Sequence, residues 1–90
     1  MDNQIIAHRL SNYATELYAT GSNLYRVRAY RKAAWTVRAL ERPLAEVLAI
    51  EGRAGLEALP GVGTHLAYTI EELIRTGEFR TWEERAAACV

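Results

Sequence analysis

Pro60-Gly61-Val62-Gly63 reverses the chain between two stretches of helical periodicity. Gly61 and Gly63 reach backbone angles barred to other residues, and without a Cβ they let a ligand come close to the main chain. Thr64 to Thr76 follows directly as a helix, with Leu66, Ala67, Ile70, Leu73 and Ile74 on its apolar face and Gly77 as its stop. A helix that opens at such a turn has free first amides at the positive end of its dipole. A phosphate oxygen fits there, with a hydroxyl from Thr64 and a ring donor from His65 beside it. The alternative is a helix–helix corner whose glycines serve packing alone.

The rest of the chain also reads as helix. Ile6, Leu10, Tyr13 and Leu17 recur at helical spacing, so the first helix spans about residues 3–20, capped by Asp2 or Asn3. Gly21 suits the position just past its end, and Ser22 or Asn23 can cap the next. The second helix runs from Leu24 to about Leu40, with Val27, Tyr30, Ala33, Ala34 and Val37 as its apolar stripe. Glu41-Arg42-Pro43 ends it, because the residue before proline resists helical geometry. Leu44 to Ile50 reads as a short helix stopped near Gly52, Gly55 to Leu59 as a further turn, and Phe79 to Val90 as a last helix that frays. The expectation is one all-α domain over residues 1–90, a small bundle of four to five short helices with the hairpin motif at about 54–76.

Charge is unevenly placed. Residues 1–38 hold six cations and two carboxylates, residues 39–90 five cations and nine carboxylates, and the chain as a whole is neutral. That fits local attraction for an anion better than a general basic coat. Cys89 is the one cysteine and cannot form an internal disulfide. The start MDNQ lacks the features of a secretory signal, and no apolar run approaches the roughly 20 residues of a membrane span. A cytoplasmic protein is expected, nucleoid-associated if bacterial.

Leu59, Gly61, Val62, Gly63, Ala67 and Ile70 stand in the order of the helix-hairpin-helix, a reader of DNA backbone without sequence preference, and the stretch resembles that motif. The resemblance implies a monovalent cation, sodium or potassium, on the carbonyls of Glu57, Leu59 and Val62. Ala29-Tyr30-Arg31-Lys32-Ala33-Ala34 lies about 30 residues before the hairpin. The two motifs together, closed by Thr76-Gly77, resemble the N-terminal domain of family X DNA polymerases, the polymerase beta type, over about Ile5 to Trp82. That resemblance implies a helical bundle that grips a 5′-phosphate in a DNA gap, and in some members removes a 5′-deoxyribose phosphate as a lyase. Tyr30 falls at the family's phosphate-pocket tyrosine, Arg26 and His65 at pocket lysines, and Tyr25 at a neighbouring histidine. Arginine and histidine can still donate to phosphate. The nucleophilic lysine of the lyase is Thr69 here, and Lys32 is the chain's one lysine, at a non-nucleophilic position. Lyase chemistry needs an amine, so a residual lyase on Lys32 or the terminal amine is the least favoured reading; polymerase chemistry is not expected, since Asp2 is the sole aspartate.

The expected function is a DNA-binding module for backbone phosphate at a gap or nick in DNA repair, alone or beside a repair protein. Hairpin residues 61–64, Arg26, Tyr30 and His65 would carry it, with Arg28, Arg31 and Lys32 on the backbone alongside. The competing class is a protein-interaction domain that has lost DNA binding, for which the acidic second half is the reason. Trp35 lies opposite the apolar stripe; packing under Leu44–Ile50 is preferred to stacking on an unpaired base. Trp82, Tyr13 and Tyr18 read as core or rim. Glu71, Glu72, Glu83 and Glu84 read as a solvated acidic face turned away from DNA.

Overall fold

The computed structural model describes residues 1–88; Cys89 and Val90, assigned to the fraying tail, lie outside them. The regular structure of the described residues is all helical: α1 (Asn3–Ala19), α2 (Leu24–Ala39), α3 (Leu44–Glu57), α4 (Thr64–Thr76) and α5 (Trp82–Ala88). Asp2 caps α1 by accepting the Ile5 amide at 2.9 Å. The end of α1 closes as expected at Gly21, whose amide donates to the Tyr18 carbonyl while that of Ser22 donates to Leu17. Asn23 Oδ1 accepts the Tyr25 amide at 2.7 Å and starts α2.

α1 and α2 run antiparallel, since Tyr13 meets Tyr30 near one end and Asn3 meets Leu40 near the other. Ala7, Ala14, Ala33 and Ala34 are buried between them, and their small size permits close approach. Ile6, Leu10 and Leu17 of α1 and Val27 and Val37 of α2 complete that layer. Asn3, the other candidate cap, has a different task. Its Nδ2 donates to the carbonyls of Leu40 and Arg42, and its Oδ1 accepts the Leu44 amide at 2.8 Å. One side chain thus ties the start of α1 to the connection between α2 and α3.

α3 is broken where expected, at Gly52 (φ 71°, ψ −167°), and continues as helix to Glu57. Leu44, Val47 and Leu56 of α3 and Leu66, Ala67, Ile70 and Leu73 of α4 form the second layer. Ile74, expected in that layer, is only half-buried. α4 is enclosed more completely than its apolar face requires, and residues 66–71 are buried without interruption. Glu71 is among them at 7% exposure, which corrects its assignment to a solvated face. Its carboxylate accepts from Arg53 Nε at 2.7 Å and pairs with Arg75 at 2.9 Å, as a carboxylate held out of water must.

The last helix begins at Trp82, not Phe79. Phe79 turns inward onto Tyr13 (4.7 Å) and Tyr30 (6.2 Å). Thr81 then accepts the Glu84 amide at 3.2 Å, while its own amide donates back to Glu84 Oε2 at 3.5 Å. That is a capping box written in the sequence as Thr-Trp-Glu-Glu.

Trp35 and Tyr18 also depart from expectation. Trp35 is 70% exposed and does not pack under α3, and Tyr18 is 62% exposed instead of core or rim. For Trp35 the cause is the tether from Asn3 to Leu44, which seats the start of α3 beside the start of α1. The side chains around Trp35 are Ser11, Arg31, Lys32, Ala34 and Arg38, none of them from α3.

Candidate nucleic-acid interface

The hairpin stands between α3 and α4 and is anchored from within. Val62 is 2% exposed and belongs to the hydrophobic core, so this residue pins the turn from beneath. The Val62 amide donates to the Leu59 carbonyl at 3.1 Å and closes the turn. Gly61 (φ 77°) and Gly63 (φ 60°, ψ −176°) take the two left-handed positions that the turn demands. Thr36 of α2 donates from Oγ1 to the Pro60 carbonyl at 2.8 Å, and the Lys32 side chain lies across Gly61. The hairpin is therefore docked on α2, which brings two distant sequence motifs to one face.

Gly63 leaves α4 without a side-chain cap. Among the described residues, the amides of Thr64, His65 and Leu66 donate to no protein acceptor. The first turns of α1, α2, α3 and α5 do have side-chain acceptors, from Asp2, Asn23, Asn3 and Thr81. The free amides open on a hollow of about 690 Å³. Arg26 and Ala29 of α2 form its far wall, the hairpin residues and His65 its near wall, and Glu57 and Glu83 its rim. Three donor types thus converge there: main-chain amides at a helix N-terminus, a guanidinium and an imidazole.

Of the residues expected to bind DNA, Arg26, Gly61, Val62, Gly63, Thr64 and His65 line this one hollow. Tyr30 does not. It is 6% exposed, with Tyr13 at 4.8 Å and Phe79 on its flank. Burial, then the neighbouring Tyr13 and Glu83, raises its hydroxyl to about 12, so Tyr30 is a neutral wall behind Arg26. Thr69 is fully buried beside it. Lys32 borders the hairpin from the outer side of α2, and Arg31 lies over the Tyr18 ring at 5.7 Å. Arg28 and Tyr25 are exposed on the same helix.

α5 adds what the sequence reading missed. Trp82 stacks on His65 at 5.2 Å, nearly parallel, and meets Tyr68 edge-on. Glu83 lies 3.7 Å from Arg26 Nη2, inside the site and not on a face turned from it. Partial burial works against the Arg26 charge, but Glu83 and the Tyr13 hydroxyl outweigh it and hold the guanidinium above its ordinary value. A carboxylate here occupies the kind of partner position a phosphate oxygen would take. No local pattern could signal this, because Arg26 and Glu83 meet only through the packing of α5 on α4.

The carbonyls of Glu57, Leu59 and Val62, expected to hold a monovalent cation, keep lone pairs that no donor among the described residues fills. Among the described residues, those of Glu57 and Val62 accept no hydrogen bond, and that of Leu59 accepts only the Val62 amide. No cluster of His, Cys, Asp or Glu among the described residues could hold another metal. Nor is any helix among them long and apolar enough to cross a membrane.

No curated protein matches the chain. The profile of a family described as helix-hairpin-helix domain matches residues 1–79, which takes in the hairpin, the helices that flank it and the α1–α2 layer on which it docks. The chain belongs to the helix-hairpin-helix domain family, whose members generally bind nucleic acid.

Proposed function

We propose that the domain binds DNA through its backbone phosphate, with preference for a 5′-phosphate at a gap or nick, as a polymerase beta-like module in DNA repair. The observation that carries this reading is the uncapped first turn of α4, whose three free amides face Arg26 across one hollow. A terminal phosphate has the charge and the acceptor oxygens for both walls at once, whereas a phosphate within an intact strand has fewer free oxygens. His65, held flat by Trp82, adds a ring donor. Sodium or potassium on the Glu57, Leu59 and Val62 carbonyls would supply a positive charge beside the strand. The reading is one of binding, not lyase chemistry, since the buried Thr69 offers no amine.

Charge distribution supports the same face. α2 carries Arg26, Arg28, Arg31, Lys32 and Arg38 and no carboxylate. Among the described residues, Arg26 alone of these is ion-paired, whereas Arg42, Arg53, Arg75 and Arg80 of the second half all have carboxylate partners. A second reading, a protein-binding domain, draws on Glu57 and Glu83 at the rim of the hollow.

Fluorescence anisotropy separates the two. Three probes would be titrated: a one-nucleotide gap with a 5′-phosphate, the same gap without it, and intact duplex. The proposal expects the tightest binding to the phosphorylated gap. Equal binding to all three leaves a general backbone clamp and removes the end preference. Absence of binding at low salt rejects DNA as the ligand.

A further inference from the structure

We infer that the outer face of α2 is a second DNA-contact site, where Trp35 stacks on an unpaired base of a strand whose phosphates lie on Arg31, Lys32 and Arg38. The inference rests on the reading that the domain binds DNA, and extends it to a site of different chemistry. Trp35 is 70% exposed on a five-helix domain whose other tryptophan is stacked on a histidine. Its ring shares a shallow hollow of about 470 Å³ with Ser11, Arg31, Lys32, Ala34 and Arg38. Residues 31, 35 and 38 fall on one helical face, so the aromatic surface lies between cations along the helix axis. Among the described residues none of Arg31, Lys32 and Arg38 has a carboxylate within ion-pair distance. An aromatic platform flanked by unpaired cations is the chemistry of single-strand binding, in which bases stack and phosphates are neutralised.

The site is continuous with the first. Lys32 touches Gly61 on one side and lines the Trp35 hollow on the other. Thr36, one residue past Trp35, is hydrogen-bonded to Pro60. A strand leaving the hairpin along α2 therefore reaches Trp35 without crossing an acidic side chain of that helix. A second copy of the chain is the weaker occupant, because a two-fold contact through this face sets cations against cations.

The test compares Trp35→Ala and Trp35→Phe with wild type and with Arg26→Gln, a change in the first hollow. Two duplexes carry the same 5′-phosphate, one at a five-nucleotide gap and one at a fully paired nick. Trp35→Ala is expected to weaken binding to the gap about tenfold, with the nick changed less than twofold and Trp35→Phe close to wild type. Arg26→Gln is expected to weaken both. In a Trp82→Phe background, oligo(dT) should quench the fluorescence of Trp35, then the sole tryptophan. An equal effect of Trp35→Ala on both duplexes, or none on either, overturns the inference, and the hairpin reading stands if Arg26→Gln still weakens both. Failure of wild type to bind either duplex ends both. A dimer in sedimentation that Trp35→Ala dissolves also overturns the inference and gives the face to self-association.

Discussion

Arg26 shows how one residue joins the parts of the site. It lies on α2, reaches Tyr13 of α1 at 3.4 Å, pairs with Glu83 of α5, and faces the free amides of α4. Glu83 competes with an incoming phosphate for that guanidinium, so Glu83→Gln should tighten binding to the phosphorylated gap about two- to fivefold, the size of a charge effect at this exposure. Unchanged or weaker affinity in the anisotropy titration would mean that phosphate does not displace the carboxylate. Tyr30 predicts a pH dependence. Its folded value of about 12 lies above the ordinary 10.0, so the folded state holds the proton more tightly. The resulting stability is complete below pH about 10 and is lost as the pH rises toward 12, on the order of 1–3 kcal/mol. Urea midpoints of wild type should fall across that window, and those of Tyr30→Phe should fall less. At this scale the hairpin residues were legible because left-handed turns and uncapped helices have a local signature. Trp35 was not, since a helical wheel shows which face a residue occupies and not whether another element covers it.

The elements were legible wherever their limits are local. Asp2, Asn23 and Gly21 mark the ends of α1 and the start of α2 in the sequence, and the chain obeys them. Gly52 breaks α3 and Gly77 stops α4 for the same reason. α5 starts later than the periodicity suggests because Phe79 is drawn to the aromatic pair Tyr13 and Tyr30, a long-range contact. Asn3 is the other long-range device. Its three hydrogen bonds hold the α2–α3 connection, so Asn3→Ala should cost about 1–3 kcal/mol in chemical denaturation. The residual cap from Asp2 keeps α1 helical, and the far-ultraviolet circular dichroism of the native state should be unchanged. A loss below about 0.5 kcal/mol would show that the connection is held by packing alone.

The whole molecule has a longest extent of 36 Å, about one turn of duplex DNA. Among the described residues, Arg28, Arg31, Lys32 and Arg38 of α2 have no carboxylate partner, whereas Arg42, Arg53, Arg75 and Arg80 of the acidic second half are paired there and Arg85 lies over the Tyr68 and Trp82 rings. The division of charge between halves was legible from the sequence, but its pairing was not, because Arg53 meets Glu71 only when α3 packs on α4. A face of this size should neutralise two or three phosphates, giving a log–log slope of affinity against salt of about −2 to −3. A slope near zero would remove the phosphate backbone from the account.

The most direct measurement follows the backbone amides by nitrogen-15 correlation spectroscopy while the phosphorylated gap is added, with the unphosphorylated gap as control. The Thr64, His65 and Leu66 amides and the Arg26 side chain should shift most, and these shifts should shrink when the phosphate is absent. Shifts confined to other helices, or the same for both probes, would contradict it.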